Sequence, residues 1–390
     1  MNPEILPEKN AAAKKTEKER RIRVGITAGD VNGVGYELIF KTFAEHDIFE
    51  LCTPVVYGAP QTASFHRKAL GSQTNFIVVS SGREAHTGHL NLVAAYDEEV
   101  KVDFGRVTKE SGAAAFWALE KAVEELKSGA IDVLVTAPIC KEAIQSEQFN
   151  FSGHTEYLSD RLGGEPLMVL MNERLRIAFA TTHLPLRAVP DAITPELLEN
   201  KLKLFRRALA HDFMLSDPRI AVLGLNPHNG DGGVLGDEER KVIGPTVTRL
   251  RSEGMNVFGP YPADGFFGAE SYSKFDGVLA MYHDQGLAPF KALSMDDGVN
   301  FTAGLPFVRT SPDHGTAFDI AGRGLADPRS FRCAIFAALD IFRNRKKDDA
   351  AFANPLPKLF VERKEEVGRR PRPPFQRGDN APENTEKKDQ

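Results

Sequence analysis

Three histidines follow short apolar runs in this chain of 390 residues. His183 follows "RIAFATT", His228 follows "RIAVLGLNP", and His283 follows "VLAMY". Such apolar runs are typical of buried strands, and open parallel sheets bind ligands beyond the carboxyl ends of their strands. Three imidazoles that converge there can hold one divalent cation and leave positions open for a substrate. The alternative is that each is a satisfied polar residue after a strand, since the spacing matches no compact zinc motif.

A second group of residues has the chemistry to hold an anion. In "FSGHTEYLSDRLGG", His154 and Thr155 stand before a predicted helix, whose first amides suit a phosphate or a carboxylate. The alternative is that Thr155 only caps that helix. Lys291 and Arg309 are cations of the kind that bind acidic groups, one as a point charge and one as a planar fork. Both types usually lie on the surface, so their position soon after His283 is what singles them out.

Two glycine-bearing segments are candidates for nucleotide contacts. "DHGTAFDIAGRG" puts His314, Gly315 and Thr316 at the start of a predicted helical segment, where amides and an imidazole can close over a nucleotide. The alternative is a simple turn. "GITAGDVNGVGYE" follows a strand, but its glycines do not match the dinucleotide fingerprint G-x-G-x-x-G. Lys141 is ambiguous, and Cys140 has no paired base in view, which argues against a cysteine nucleophile.

The composition is that of an ordinary globular protein, with 42% hydrophobic and 26% charged residues. The net charge of −5 gives no electrostatic case for binding nucleic acid or an anionic membrane. The three cysteines form no CxxC pair, which favours a reducing compartment. The amino terminus lacks the apolar core of a signal peptide, and no apolar run reaches the roughly 18 residues of a spanning helix. We therefore expect a cytoplasmic protein.

Between two charged ends, short apolar runs alternate with helical patterns. "IRVGIT", "CTPVVYG" and "IDVLVTAP" predict strands, and "SGAAAFWALEKAVEELKSG" predicts an amphipathic helix. Thr194 and Pro195 suit the N-cap and the first position of another helix. Alternating elements with apolar strands predict an α/β protein with a mostly parallel sheet covered on both faces. Residues 1–20 and 362–390 are predicted to be a disordered arm and a disordered tail.

Five segments, in order along the chain, resemble signatures of the 4-hydroxythreonine-4-phosphate dehydrogenase (PdxA) family of vitamin B6 biosynthesis. They are "GHTE", "ATTHLPL", "LNPHNGDGG", "MYHDQG" and "GVNFTAGLPFVRTSPDHGTAFDIAGRG". The resemblance implies a two-domain α/β/α architecture like that of isocitrate and isopropylmalate dehydrogenases. The first domain would hold residues 21–135 and 310–345, and the second residues 136–309. It also implies a homodimer with the active site at the interface.

The resemblance also assigns roles to individual residues. The ligands of a divalent metal (zinc, magnesium or cobalt) would be His183, His228 and His283. The substrate-binding residues would be His154, Thr155, Lys291, Asn300 and Arg309. NAD or NADP would contact His314, Gly315 and Thr316. The substrate hydroxyl proton would pass to Lys291, to Asp284 or to water, and the sequence leaves this choice open.

The implied reaction is the NAD(P)- and metal-dependent oxidation of 4-phosphooxy-L-threonine to 2-amino-3-oxo-4-phosphooxybutanoate. Decarboxylation would follow, in pyridoxal 5'-phosphate biosynthesis. The nearest alternative is a 4-phospho-D-threonate or 4-phospho-D-erythronate dehydrogenase of sugar-acid catabolism, which needs no amino-group pocket. A lyase or hydrolase without nicotinamide and a phosphate-binding regulatory protein are further alternatives. The chain departs from the family pattern at Val31, Tyr36, Ala137 and Cys140, and the changes near Cys140 bear on substrate fit.

Overall fold

The structure is a computed structural model that describes residues 20–294 and 296–354. Its strands are β1 Ile22–Thr27, β2 Cys52–Gly58, β3 Phe76–Val79, β4 Leu90–Ala94, β5 Val133–Thr136, β6 Leu167–Met171, β7 Arg176–Phe179, β8 Ile220–Leu223, β9 Val257–Tyr261, β10 Gly277–Ala280, β11 Val299–Ala303 and β12 Arg309–Pro312. Its α-helices are α1 Gly35–Thr42, α2 Ile48–Leu51, α3 Pro60–Ala69, α4 Lys109–Lys127, α5 His154–Leu162, α6 Val189–Ala192, α7 Pro195–His211, α8 Gly244–Ser252, α9 Ala263–Gly268, α10 His283–Ser294 and α11 Arg329–Phe352. The predicted tail, and all of the predicted arm except Arg20, lie outside the described residues.

The twelve strands form one sheet in the order β3-β4-β2-β1-β5-β12-β11-β6-β7-β10-β8-β9. The first six strands in this order run parallel to one another, and they are β3, β4, β2, β1, β5 and β12. The last four, β7, β10, β8 and β9, also run parallel to one another. The pairs β12-β11, β11-β6 and β6-β7 are antiparallel. The predicted mostly parallel sheet is confirmed. Because an odd number of antiparallel pairs separates the two parallel halves, these halves run in opposite directions.

Helices cover the first parallel half on both faces, which explains its apolar strands. All residues of β2 and of β5 are buried. Successive side chains of a strand point to opposite faces, and β5 illustrates this. Val133 and Val135 belong to the core cluster that includes α11, whereas Leu134 belongs to the one that includes α4. The predicted α/β class is confirmed.

Local signals placed several elements correctly. The strands "IRVGIT" and "CTPVVYG" are β1 and β2. Thr194 Oγ1 accepts a hydrogen bond from the Leu197 N–H at 3.2 Å, and Pro195 is the first residue of α7, as predicted. The helical segment predicted at His314 is wrong, because residues 313–328 form bends and turns and α11 begins only at Arg329. Ala317 has a φ of 45°, a left-handed conformation that interrupts a helix.

The predicted domain boundaries fall on two strands that pair with each other. Residues 135 and 136 lie in β5, residues 309 and 310 lie in β12, and these strands are adjacent and parallel. One sheet therefore runs through both predicted domains, and the division into two domains stays a prediction. Separately, none of the helices in the described part of the chain is both long and apolar enough to cross a bilayer.

Candidate active site

A cavity of about 260 Å³ lies on one face of the central antiparallel strands. Because side chains alternate along a strand, every second residue faces it, as with Arg309 and Ser311 of β12 and Met168 and Leu170 of β6. The register places Asn300 of β11 between Ser311 and Leu170. The walls come from the starts of α5 and α10 and from the segments after β5 and β12. Side chains of the central strands, of the two helices and of the two segments after strands therefore meet in this cavity.

His154 and Thr155 line this cavity from the first turn of α5. The N-cap of α5 is Gly153, so the interpretation of Thr155 as the cap is wrong. Since glycine supplies no side chain to the helix end, the first turn of α5 has no side-chain cap, and its amides face the end of the helix where an anion can bind. Burial lowers the pKa of His154 well below its usual range, and Arg309 and Lys141 lower it further. The imidazole is therefore neutral at physiological pH.

Arg309 is buried in the floor of the cavity, with 2% of its surface exposed. Its guanidinium donates to the hydroxyls of Thr302 at 3.0 Å and Thr136 at 2.6 Å, while its Nε has no partner among the described residues. Burial lowers its pKa to about 10, and the Glu156 carboxylate acts in the opposite direction. Within the described residues, the hydrogen bonds of this buried cation go to neutral hydroxyls, and no carboxylate is in direct contact with it to balance its charge. The cavity is therefore suited to an anion.

Two lysines and an amide add to this polar lining. Lys291 of α10 and Asn300 of β11 face the cavity, as the resemblance implies. Lys141, which the sequence left ambiguous, also lines it. Within the described residues, buried atoms without a hydrogen-bond partner concentrate here, namely His154 Nε2, Glu156 Oε2, Asn300 Oδ1, Arg309 Nε and His314 Nε2. Because buried polar groups are normally satisfied, these atoms point to a polar ligand or water in the cavity.

Two of the three predicted metal ligands meet at the edge of the cavity. The ring centroids of His183 and His283 are 6.0 Å apart. The Nδ1 of His183 lies 3.3 Å from Glu156 Oε1, and the Nδ1 of His283 lies 2.7 Å from Asp284 Oδ1. A carboxylate that accepts from Nδ1–H leaves Nε2 free to bind a metal, which is the usual arrangement of ligating histidines.

His228 lies apart from the other two histidines. It is exposed, in the turn Pro227–Gly233 after β8, with a φ of 54°. It is not among the residues that line the cavity. Throughout residues 20–294 and 296–354, no group of three His, Cys, Asp or Glu side chains is arranged to hold a metal. The structure of one chain therefore brings together two of the three histidines.

The predicted cofactor residues lie in the loop that follows β12. His314 and Gly315 line the cavity, whereas Thr316 turns away and its carbonyl accepts a hydrogen bond from the Val34 N–H at 3.1 Å. His314 Nδ1 lies 3.0 Å from the Gly315 carbonyl oxygen, and burial lowers the pKa of this imidazole. A Cβ built on Gly315 would meet nothing within 4 Å. The loop therefore has space beside it for a ligand.

Sequence reasoning missed two carboxyl groups in the cavity. Glu156 is the last residue of the quoted "GHTE", and its bond to His183 holds its pKa below the usual range. Asp313 precedes His314, and burial raises its pKa to about 6, while Lys291 and His283 act in the opposite direction. Asp284, by contrast, is 84% exposed and does not line the cavity. The signal for both missed residues was their position beside motif residues that had been assigned.

Comparison with known proteins identifies the family. Residues 50–338 match the family model described as "Pyridoxal phosphate biosynthetic protein PdxA". The chain is 55% identical over 351 residues to a 4-hydroxythreonine-4-phosphate dehydrogenase from Bacteroides thetaiotaomicron, covering 90% of this chain and 96% of that protein. The chain belongs to the PdxA family.

The structure agrees with this membership. The crystal structure of a PdxA-family protein, 4-hydroxythreonine-4-phosphate dehydrogenase from Klebsiella pneumoniae, matches with a TM-score of 0.72 at 35% identity, covering 83% of this chain and 98% of that one. A more distant relative from Oceanobacillus iheyensis, 37% identical over 324 residues (82% of this chain and 97% of that protein), is provisionally named D-threonate 4-phosphate dehydrogenase. The predicted family is confirmed.

Proposed function

We propose that this PdxA-family protein is an NAD(P)- and divalent-metal-dependent 4-hydroxythreonine-4-phosphate dehydrogenase. It would oxidise 4-phosphooxy-L-threonine to 2-amino-3-oxo-4-phosphooxybutanoate, which then loses CO2, in pyridoxal 5'-phosphate biosynthesis. The observation that carries this proposal is the cavity around Arg309, in which a buried guanidinium has no carboxylate partner among residues 20–294 and 296–354. The names of the relatives supply the reaction, and the cavity supplies a place for its doubly acidic substrate.

The cations of the cavity are suited to the two acidic ends of such a substrate. Arg309 can bind a carboxylate or a phosphate with two parallel hydrogen bonds, and Lys141 and Lys291 add point charges from two other walls. The first amides of α5, with His154 and Thr155, offer further donors. Holding both ends of the acid fixes the carbon between them, and such orientation accounts for a large part of rate enhancement.

The residues at the cavity edge fit a divalent metal in part. His183 and His283 have the softness and the spacing for one cation, and each has a carboxylate neighbour to orient it. His228 would be the third ligand. A divalent cation, when bound, supplies charge that lowers the pKa of a nearby hydroxyl. Zinc, magnesium and cobalt all remain candidates.

We propose that His228 reaches this metal from a second copy of the chain. Each of the three segments that carry the histidines exposes apolar side chains: Leu184, Leu186, Val234, Leu235 and Leu293 are 45%, 69%, 81%, 47% and 48% exposed. Apolar patches of this kind mark protein–protein contacts. A homodimer that covers them would bring His228 of one subunit to the cavity of the other. The predicted cytoplasmic location stays a prediction.

The cofactor and the proton acceptor complete the proposal. His314, Gly315 and Thr316 would hold NAD or NADP, and a nicotinamide, when bound, accepts hydride. Lys291 faces the cavity and is the better placed of the two predicted catalytic residues. Asp284 would instead orient His283. Asp313, with its pKa raised to about 6, is a further group that can take a proton near neutral pH.

The name of the relative from Oceanobacillus iheyensis favours one second candidate, oxidation of a phosphorylated threonate. The two substrates differ at C2, which carries an ammonium in phosphothreonine and a hydroxyl in phosphothreonate. Glu156 offers a carboxylate with an unpartnered oxygen in the cavity, which would attract an ammonium. This carboxylate and the higher identity to the relative from Bacteroides support the amino acid as substrate.

Absorbance at 340 nm tests these functions directly. Purified protein would be incubated with NAD+ or NADP+, a divalent metal, and either phosphothreonine or phosphothreonate. The proposal predicts reduction of nicotinamide with phosphothreonine at a kcat/KM at least about tenfold above that with phosphothreonate. Reduction with phosphothreonate alone would favour sugar-acid catabolism. Consumption of substrate without reduction would favour a lyase or hydrolase, and no turnover would favour a regulatory protein.

A further inference from the structure

The segment "GITAGDVNGVGYE" has no part in the proposed reaction, yet it contacts the 313–328 loop at two points. The first contact is between two backbones, where the Val34 N–H donates to the Thr316 carbonyl at 3.1 Å. A Cβ built on Gly33 would meet that same carbonyl oxygen at 2.8 Å. This close approach requires glycine at position 33.

The second contact is an ion pair on α1 between a buried carboxylate and a partly exposed lysine. Glu37 is 2% exposed, and its Oε1 accepts hydrogen bonds from Lys41 Nζ at 2.8 Å and from the Ala326 N–H at 2.7 Å. Lys41 Nζ also donates to the carbonyls of Gly324 at 2.8 Å and Ala326 at 2.7 Å. The bonds from this pair to 324–326 are charge-assisted, which makes them stronger than bonds between neutral groups. The far end of the loop is thereby fixed to α1.

The same segment holds a turn that supports the middle of the loop. Asn32 Nδ2 donates to the Arg106 carbonyl at 2.9 Å, and Asn32 Oδ1 accepts from the Asp103 N–H at 2.7 Å. Within that turn, a Cβ built on Gly105 would meet the Phe318 carbonyl oxygen at 2.7 Å. Contacts near Thr316, Phe318 and Ala326 therefore support the loop along its length.

We propose that this segment, together with the rest of α1, is a cradle that pre-orders the 313–328 loop for a nicotinamide cofactor, with Glu37 and Lys41 as positioning residues. The inference rests on the proposed function, in which His314, Gly315 and Thr316 contact the cofactor. A loop without helix or strand costs free energy to order when a ligand binds, and ordering it beforehand improves affinity. Neither Glu37 nor Lys41 lines the cavity that holds His314, and both are hydrogen-bonded to the loop at residues 324–326, so we assign them a role through the loop.

The alternative is that the ion pair only stabilises the fold. The chain offers a matched control, since Asp212 and Arg345 form another ion pair at 2.6 Å with side chains 3% and 11% exposed. Arg345 lies far along α11, about 24 Å from the start of the helix that follows the loop. Asp212→Asn should therefore lower thermal stability as Glu37→Gln does, but it should leave the affinity for the cofactor unchanged.

The test compares Glu37→Gln, Lys41→Met and Asp212→Asn with the wild-type protein. Calorimetric titration with NAD+ and with NADP+ gives the cofactor Kd without turnover, and steady-state kinetics give each KM separately from kcat. We expect Glu37→Gln and Lys41→Met to raise the Kd and the KM of the cofactor about tenfold. The KM of the acid and kcat should stay within about twofold. Hydrogen exchange should accelerate in 313–326 in these two variants only.

Each outcome decides the proposal. If cofactor affinity falls in the two α1 variants but not in Asp212→Asn, the cradle is supported. Equal affinity in all four proteins, or an equal fall in Asp212→Asn, overturns it and leaves the proposed function standing. Should the wild-type protein bind neither nicotinamide, the proposed function and the cradle fall together. If Glu37→Gln does not fold, Lys41→Met carries the test, because Lys41 is 35% exposed.

Discussion

The two sides of the candidate site are built differently. The anion side, around Arg309 and Asn300, stands on strands whose register fixes its side chains, and these side chains line one cavity within a single chain. The histidine side stands on segments after strands, is partly exposed, and in one chain brings only His183 and His283 together. Side chains on a sheet are positioned by the fold itself, whereas those on loops depend on what packs against them. This difference is the reason for the proposal that a second subunit completes the histidine side.

The largest expected effect is on the histidine side. His228→Ala should lower kcat by about a thousandfold or more, because a bound metal contributes several kcal/mol of transition-state stabilisation. Bound metal per subunit, measured by elemental analysis, should fall as well. His228 is exposed, so the melting temperature should change little. His89→Ala, at another exposed histidine, is the control, and normal turnover in His228→Ala would remove this residue from the site.

On the anion side, Arg309→Met should lower kcat/KM by about a hundredfold, chiefly through a higher KM of the acid. The reason is that the substrate would neutralise a buried cation that has no carboxylate partner in the described part of the chain. Metal content should stay that of the wild-type protein, which separates the two sides of the site. Arg309→Lys keeps the charge but loses the planar fork, so its KM for the acid should lie between those of the wild-type protein and Arg309→Met. A normal KM in Arg309→Met would show that the acid binds elsewhere.

Glu156 joins the two sides, and its substitution should have an intermediate effect. Glu156→Gln keeps the size of the side chain but removes the charge beside His183 Nδ1. Metal affinity should fall by about tenfold to a hundredfold, as is usual when the group that orients a ligating histidine is changed. Titration with Zn²⁺ or Co²⁺ measures this, with Glu142→Gln at an exposed position as the control. Unchanged affinity would mean that Glu156 does not orient a metal ligand.

The smallest expected effect is on stability and depends on pH. Burial raises the pKa of Asp313 to about 6, so the folded state holds this proton more tightly than the unfolded state does. The stabilising contribution of the protonated form is present at low pH and is lost as the pH rises through about 6. Asp313→Asn should therefore be more stable than the wild-type protein at pH 8, by about 1–2 kcal/mol, and equal to it near pH 4. Denaturant unfolding at the two pH values checks this, and a difference that does not change with pH would contradict it.

Much of the first parallel half could be predicted from the sequence. β1 and β2 are largely apolar runs, so local signals suffice there. Outside this half, the start of α7 could also be predicted, because it carries a threonine cap followed by proline. The antiparallel centre could not be predicted, because the direction of β6, β7 and β11 depends on pairing between distant segments. The cavity depends on that pairing, and for this reason the role of Lys141 stayed open.

The site residues also divide into those that carry a local signal in the sequence and those whose role depends on the folded chain. His154 and Arg309 carried local signals, one before a helix and one after a glycine-bearing segment, and both line the cavity. Asn300 was found only through the family resemblance, since an asparagine in a strand carries no signal of its own. Glu156 and Asp313 were missed because their importance comes from burial next to other charges, which only the folded chain reveals.

Mixing two impaired variants, assayed at an acid concentration well below the KM of Arg309→Met, tests most directly whether one site draws on two chains. His228→Ala and Arg309→Met proteins would be denatured together in equal amounts, refolded, and assayed at 340 nm against each variant refolded alone. If His228 of one subunit serves the cavity of the other, half of the dimers are mixed and one of their two sites is intact, so activity should return to about a quarter of the wild-type value. If the mixture is no more active than its components, His228 does not reach the cavity of a second subunit, and the proposed assembly of the site is wrong.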